Sequence, residues 1–332
     1  MSYESNVNRR RTASYRKRPK EKRPPVFLFA LLCMLCIIVF ITVRDFKPPL
    51  QTIPGHRAEN VPSQISSGIL PAVAEPESLY SRCVVLEDLQ SGAVLLDKQG
   101  TEKAYPASLT KIMTALVALE CFPDLSQTVV LTDRDFAGLF EQNASMAGFQ
   151  SNQEVQIRDL LYGLILPSGA DAAAALANHA AGSQEAFVEW MNQKAHTLGM
   201  ESTHFVNTTG LHDPEHYTTA RDMTTLLYTA LQNPDFRAIF TSERRSTRET
   251  ATHPGITFYS TLFQDLESPA FPDGQLLGGK TGYTEEAGLC LASLAEKNGR
   301  EYILITMDAP GDHNTEPFHI LDAFTIYEAI LS

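Results

Sequence analysis

From about Leu79 onward the apolar positions fall into two periods, strand-like at both ends and helical between them. "RCVVLEDLQSGAVLLDKQ" holds two β-rich runs around Gln90-Ser91-Gly92 and predicts a hairpin. "YPASLTKIMTALVALE", Tyr105 to Glu120, predicts a helix from about Leu109 to Cys121, with Pro106 near its start. Residues 157–200 read as successive helices: "IRDLLYGLIL", the Ala-rich "ADAAAALANHAAG" and "SQEAFVEWMNQKAHTLG". "TTARDMTTLLYTALQ" is another. The character then changes. "QLLGGKTGYTEE" leads into "AGLCLASLAEKNGREYILITMDA", where Asn298-Gly299 between two apolar runs is a strong hairpin signal. "TEPFHILDAFTIYEAIL" closes the pattern as an amphipathic helix, with Thr315 as its cap. Strands first and last with helices between predict a mixed α/β domain of the α+β kind. Its sheet is mostly antiparallel, flanked by helices, and carries an inserted helical lobe.

The first 77 residues follow other rules. Residues 1–25 are basic, and Val26 to Val43 ("VFLFALLCMLCIIVFITV") is an uncharged apolar run of 18 residues, long enough to cross a bilayer. Residues 44–77 are rich in Pro, Ser, Gln and Gly without an apolar period. The expected organisation is a basic cytoplasmic tail (1–25), a transmembrane anchor (26–43), a flexible linker (44–77) and a catalytic domain (78–332). A cleaved signal peptide is the competing reading of the apolar run. Against it, the run exceeds a usual signal core, and "TVRDFKPPLQ" offers no A-x-A-like cleavage site. Basic residues before the run and an acidic body after it place the body outside the cytoplasm by the positive-inside rule.

Charge sharpens this division. Residues 1–25 hold nine Lys or Arg against two Glu, so the rest carries 18 basic and 37 acidic residues of the chain's 27 and 39. A body with that excess of acid is a poor partner for nucleic acid. Cys33 and Cys36 lie within the apolar run, where a C-x-x-C redox or zinc reading fails on context. Cys83, Cys121 and Cys290 read as small core residues, an odd set that gives no disulfide framework.

Three segments carry candidate chemistry. Ser108 and Lys111 stand three apart at a helix start, neighbours on one face. S-x-x-K alone is weak, since about one is expected by chance in such a chain. Ser14 to Lys17 in the basic tail is a second instance. Context raises Ser108. A serine in a first helical turn sits among free backbone N–H groups. Burial there pushes a lysine toward its neutral form, which can take the serine proton. Next, "LPSGADAAAAL" puts Ser168 before a helix, by itself an ordinary N-cap. Finally, "GGKTGYT" (Gly278–Thr284) opens a strand with K-T-G, a triplet expected by chance in fewer than about one such chain in ten. Its glycines let an extended ligand approach the strand edge, while Lys280 and Thr281 suit a terminal carboxylate. The bland reading is a polar turn before a strand.

In this order, S-x-x-K, S-G-x and K-T-G form the signature of serine penicillin-recognising enzymes. The chain resembles the low-molecular-weight penicillin-binding proteins, the serine-type D-alanyl-D-alanine carboxypeptidases. The resemblance runs from about Leu79 to Ile330 and includes "VNTTGLHDPEHYTTARDM" and "LLGGKTGYTEEAGLCLASLA". It implies the penicillin-binding/β-lactamase-like transpeptidase fold, and a substrate ending in the D-Ala-D-Ala of peptidoglycan stem peptides. It also implies an acyl-enzyme, covalent inhibition by β-lactams, and no metal or other cofactor. Ser108 is then the nucleophile, Lys111 its base, and Ser168 a proton relay to the leaving D-alanine. Lys280 and Thr281 hold the substrate carboxylate, with Gly282 and Tyr283 beside them. The backbone N–H groups of Ser108 and Tyr283 form the oxyanion hole.

Two departures from the family pattern concern the site. Its middle motif usually ends in Asn, and here that position is Ala170. Many relatives place a carboxylate-gripping arginine in the last strand or helix, and no arginine follows Arg300 here. The chain also ends after one domain, where some relatives add a β-domain and an amphipathic membrane helix. A D,D-endopeptidase with the same site and a catalytically weak peptidoglycan-binding protein are the alternative readings. A β-lactamase needs a positioned deacylation base that the sequence does not reveal. His179, His196, His204, His212 and His216 raise a zinc peptidase, yet no H-E-x-x-H occurs, and "HDPEH" reads as a loop.

Overall fold

In the computed structural model, the described residues are 78–249, 253–264 and 266–330. The tail, anchor and linker expected over 1–77 lie outside them. Among the described residues, no helix is long and apolar enough to cross a membrane.

The chain enters through a hairpin, β1 (Cys83–Asp88) and β2 (Val94–Lys98), and leaves the sheet for helix α1 (Thr110–Cys121). A short pair, β3 (Thr128–Val130) and β4 (Glu154–Gln156), precedes five helices. These are α2 (Ile157–Ile165), α3 (Ala170–Ala181), α4 (Gln184–Thr197), α5 (Ala220–Leu231) and α6 (Pro234–Phe240). The pair β5 (Arg244–Ser246) and β6 (Thr257–Tyr259) and the single turn α7 (Thr261–Gln264) lead back toward the sheet. There β7 (Ala270–Phe271), β8 (Gly274–Thr284), β9 (Gly288–Lys297) and β10 (Arg300–Ala309) run in succession before α8 (Phe318–Ala329).

The main sheet has the order β2-β1-β10-β9-β8-β7 and is antiparallel at every pairing. The first and last strands of the domain meet in β1 against β10, with Val85 opposite Ile305. Both faces are covered, which explains why β1, β9 and β10 read as nearly continuous apolar runs. Alternate residues serve different cores. Cys83, Val85, Ile303, Ile305 and Met307 join the helical side, whereas Val84, Leu86 and Leu304 meet α8 through Ile320, Ala323 and Tyr327. Helix α1 is the axis of the helical lobe. Ten consecutive residues, Thr110 to Leu119, are buried against the surrounding helices.

The asparagine-glycine turn stands where the pattern puts it, with Asn298 at φ 52° and Gly299 at φ 75°. The proposed cap of the last helix does not. Helix α8 begins at Phe318 with Pro317 at its N-cap and no side-chain cap. Thr315 instead closes the preceding turn, its hydroxyl accepting from Asp312 N–H at 2.9 Å. Cys83 and Cys290 are buried and Cys121 partly so; all three are free thiols.

Helix α8 fastens the domain's entrance. The buried Asp322 carboxylate accepts from the backbone N–H groups of Tyr80 (3.0 Å) and Ser81 (2.6 Å). We expect Asp322→Ala to strand both donors and destabilise the domain by about 2–4 kcal/mol, read as a lower urea midpoint at unchanged slope.

Candidate active site

Ser108 does not open the α-helix. It sits in a 3₁₀ turn, Ala107–Leu109, that runs directly into α1. Ala107 just before it adopts φ 45°, a strained conformation for a residue with a Cβ. Three contacts stabilise the turn. Gly210 is so close that a Cβ there would lie 1.8 Å from the Ala107 carbonyl oxygen. The Thr110 hydroxyl donates to the same oxygen at 2.8 Å. The buried His216 completes the chain. Its Nδ1 accepts from Val206 N–H at 3.1 Å, so Nε2 carries the hydrogen and donates to Thr110 Oγ1 at 2.8 Å. Burial pushes the His216 imidazole down to about 4, which keeps this neutral form at neutral pH.

Lys111 lies one helical turn below Ser108. Its Nζ donates to Ser108 Oγ at 2.9 Å and to the Thr209 carbonyl at 2.6 Å. The residue is 2% exposed. Desolvation pushes the amine down to about 7, and the Asp171 carboxylate opposes that shift. Thr209 is held in turn by Asn207, whose Oδ1 accepts from Thr209 N–H (3.1 Å) and Gly210 N–H (2.7 Å).

Across from this pair stands Ser168, at φ 64° and 4% exposed, its Oγ without a hydrogen-bond partner among the described residues. It is not the N-cap of α3. That place falls to Gly169, and no side chain caps the helix. Ala170, the residue that departs from the family pattern, is buried, and its N–H donates to the Ser145 carbonyl at 2.7 Å. Of the two polar neighbours near it in sequence, Asp171 turns to the loop before β4. Its carboxylate accepts from Ala147 (2.8 Å), Gly148 (3.0 Å) and Phe149 (3.2 Å) N–H groups. Asn178 binds Asp135 at 2.7 Å instead.

The third side is β8. Gly282 faces the Ser108 backbone, and a Cβ on it would come within 3.0 Å of Ser108 N. Only glycine brings the strand this near. Thr281 and Thr261 share a hydroxyl hydrogen bond of 2.6 Å. Lys280 is fully enclosed and donates to the Thr281 carbonyl at 2.6 Å. Burial first, then the charge of Lys111, lowers its pKa well below the ordinary lysine value. Because β7 pairs only with Gln275 and Gly274, the outer edge of β8 beside the site has no strand neighbour among the described residues.

These elements enclose a cleft of about 370 Å³. Ser108, Ser168, Thr281, Gly282 and Tyr283 line it, whereas Lys111 and Lys280 lie beneath. Sequence reasoning missed Ser145, Thr261 and the wall that follows β10, which brings Asp312, His313, Thr315, Pro317 and His319 to the cleft. It also missed the supporting layer of Asn207, Gly210 and His216. Among the described residues, no cluster of His, Cys, Asp and Glu could hold a metal.

The family described as D-alanyl-D-alanine carboxypeptidase, peptidase S11, matches residues 71–311. The chain belongs to that family. It is 32% identical over 263 residues to the D-alanyl-D-alanine carboxypeptidase DacF of Bacillus subtilis, covering 75% of this chain and 63% of DacF. It is 29% identical over 265 residues to the D-alanyl-D-alanine endopeptidase of Escherichia coli, covering 79% of this chain and 81% of that one. The solved DD-transpeptidase of Streptomyces matches with a TM-score of 0.68 at 28% identity, over 76% of this chain and 97% of the other. The D-alanyl-D-alanine carboxypeptidase structure from Mycobacterium tuberculosis matches at 0.65 and 30%, over 75% and 90%. The chain thus spans less than two thirds of some curated relatives, DacF among them. Within the family, the expected penicillin-binding transpeptidase fold is borne out by these structures.

Gly210 offers a direct check on the supporting layer. In Gly210→Ala, the Cβ meets Ala107 and a φ of 84° costs a further ~1–2 kcal/mol. The Ser108 turn must shift, and covalent labelling by fluorescent penicillin should slow at least about tenfold while far-UV circular dichroism stays native-like.

Proposed function

We propose that this chain is a serine D,D-carboxypeptidase that removes the terminal D-alanine from peptidoglycan stem pentapeptides. One observation carries the reading: a sealed amine, its pKa near 7, lies 2.9 Å from the Oγ of a serine that opens onto a cleft. A neutral Lys111 accepts the Ser108 proton as Oγ attacks the carbonyl of the penultimate D-alanine. Backbone N–H groups of Ser108 and Tyr283 receive the oxyanion, each such donor being worth roughly 2.7–4 kcal/mol. The close approach of Gly282 to Ser108 N supports this pairing of the two backbones. Ser168, whose hydroxyl is otherwise unpaired, returns the proton to the departing D-alanine nitrogen. Water then hydrolyses the acyl-enzyme. The open edge of β8 receives the extended peptide. β-Lactams enter the same chemistry as covalent inhibitors, acylating Ser108 without release.

A second reading has its own support. The Escherichia coli endopeptidase aligns over most of both chains, whereas DacF is covered for 63% of its length. Endopeptidase action on peptide crosslinks would use the same residues with a larger leaving group. A catalytically weak binding protein is disfavoured by the Lys111–Ser108 contact.

We further infer that Val26–Val43 anchors the protein in the cell membrane, with residues 1–25 in the cytoplasm and the catalytic domain outside it. The uncharged run and its charge asymmetry support this. On this reading the mature protein keeps residues 1–25 and fractionates with membranes. A mature N-terminus near residue 45 or later would refute it.

The chemistry is tested on the full chain with fluorescent penicillin and a D-Ala-D-Ala pentapeptide. The adduct should map to Ser108, and Ser108→Ala should abolish both labelling and D-alanine release. Lys111 is protonated below about pH 7 and then lacks the lone pair that takes the serine proton. Acylation should therefore rise with pH, about tenfold per unit below the midpoint, and level off above about 7. A profile that falls as pH climbs through this range would remove Lys111 as the base.

A further inference from the structure

Lys111 Nζ has two hydrogen-bond partners among the described residues, the Ser108 hydroxyl and the Thr209 carbonyl. On the reading above, the first is the group it deprotonates. The second decides where the amine points, so whatever fixes the Thr209 carbonyl bears on catalysis.

That carbonyl belongs to the Thr209–Gly210 peptide, and the N–H of the same peptide donates to Asn207 Oδ1 at 2.7 Å. The peptide is thus gripped at both ends, by Lys111 at its oxygen and by Asn207 at its hydrogen. A hydrogen bond to the N–H polarises the unit and makes its carbonyl a better acceptor. Asn207 Oδ1 also accepts from Thr209 N–H and Thr209 Oγ1, each at 3.1 Å, while Nδ2 donates to the Leu211 carbonyl at 2.8 Å. Three donors on one atom and an acceptor on the other fix the orientation of the amide. The preceding carbonyl, that of Thr208, accepts from Thr114 Oγ1 at 2.7 Å, three residues beyond Lys111 on the same face of α1. Asn207 itself stays out of the cleft. It lines a separate hollow of about 210 Å³ with Leu139, Gln184 and Val188.

We propose that Asn207 is a positioning residue for the proton acceptor: through the Thr209–Gly210 peptide it aims the Lys111 amine at Ser108 Oγ and stabilises the amine's protonated form. This rests on the reading of Lys111 as the base of a serine D,D-peptidase. A carbonyl binds an ammonium N–H more strongly than an amine N–H, so the contact offsets part of the desolvation that favours the neutral form. Other ionisable groups also face Lys111. Asp171 on α3 favours its charge, whereas Lys280 on β8 and His216 in the loop before α5 are each disfavoured as cations by it. The Lys194–Glu120 ion pair lies near the far end of α1. These groups act on Lys111 by charge alone, and its orientation is left to the loop that Asn207 organises.

The test follows acylation of the full chain by fluorescent penicillin across pH. In Asn207→Ala the peptide loses its grip at the hydrogen end. The plateau rate should fall at least about tenfold, as for a misaimed catalytic group. The midpoint of the acid limb should move about 0.5–1 pH unit lower, because the ammonium loses its acceptor. Asn207→Asp keeps an oxygen for Gly210 N–H, gives up the donor to Leu211 and adds a negative charge. It should recover most of the plateau, with its midpoint moved higher instead. A merely structural asparagine would lower rate or melting temperature and leave both midpoints in place, which would overturn the proposal. So would a full plateau in Asn207→Ala. Should thermal melting show Asn207→Ala unfolded, Asn207→Asp decides alone, and a midpoint that stays or falls refutes the assignment. Failure of the unsubstituted chain to be labelled would instead refute the reading of Ser108 and Lys111, and this assignment with it.

Discussion

Lys111 Nζ is sealed between the Ser108 hydroxyl and the Thr209 carbonyl, and the surrounding structure is arranged around the cost of burying that amine. A buried ammonium without a carboxylate contact is expensive, so the neutral form is accessible near pH 7. Asp171 is near enough to favour the charged form. Its lone pairs, however, are occupied by backbone N–H groups of residues 147–149. The carboxylate thus holds a loop while only modulating the lysine. The balance lets one amine exist in both protonation states at working pH, which a proton acceptor requires.

Holding a serine over that amine demands an irregular backbone. Ala107 and Ser168 both have positive φ, and each precedes a helix bordering the cleft. Strain of this kind persists only where neighbours overdetermine it. At Ala107 the neighbours are Gly210 in van der Waals contact and the relay from His216 through Thr110 to the Ala107 carbonyl. On the sheet side, glycines perform the matching task. Gly282 admits the Ser108 backbone, while Gly278 lies where a Cβ would meet the Phe240 carbonyl at 2.3 Å. The strand is therefore fixed from behind by α6 and left open in front.

What the sequence revealed depended on range. Periods of 3.6 and 2.0 report burial within an element, so α1 to α5 and the β8–β10 meander could be read directly. The motif residues Ser108 and Lys111 are one turn apart, and their meeting follows from helix geometry. The supporting layer has no such local signal. His216 reaches Thr110 across 106 positions, and Asp171 reaches Ala147 across 24. The three-residue pairs β3–β4 and β5–β6 are too short to show a period. Helix α6 did carry a signal, since Asn233-Pro234 is a cap followed by proline at the first helical position. Ser168 and Thr315 mislead for a common reason. Each is a capping residue type near a helix start, but one is displaced by a glycine and the other closes an adjacent turn.

The electrostatics of the cleft follow from the same burial. Two lysines lie beneath its floor, and Lys280 is lowered by desolvation and then by the charge of Lys111. A permanent cation in the wall would press Lys111 further toward neutrality and hold anions by charge. The wall has a neutral histidine and an uncapped helix end instead. Hydrogen bonds and a helix dipole act over short distances and depend on orientation, whereas a bare charge attracts any anion. The polarity of this wall is therefore directional, set by side-chain orientation and the α8 helix end rather than by a fixed charge.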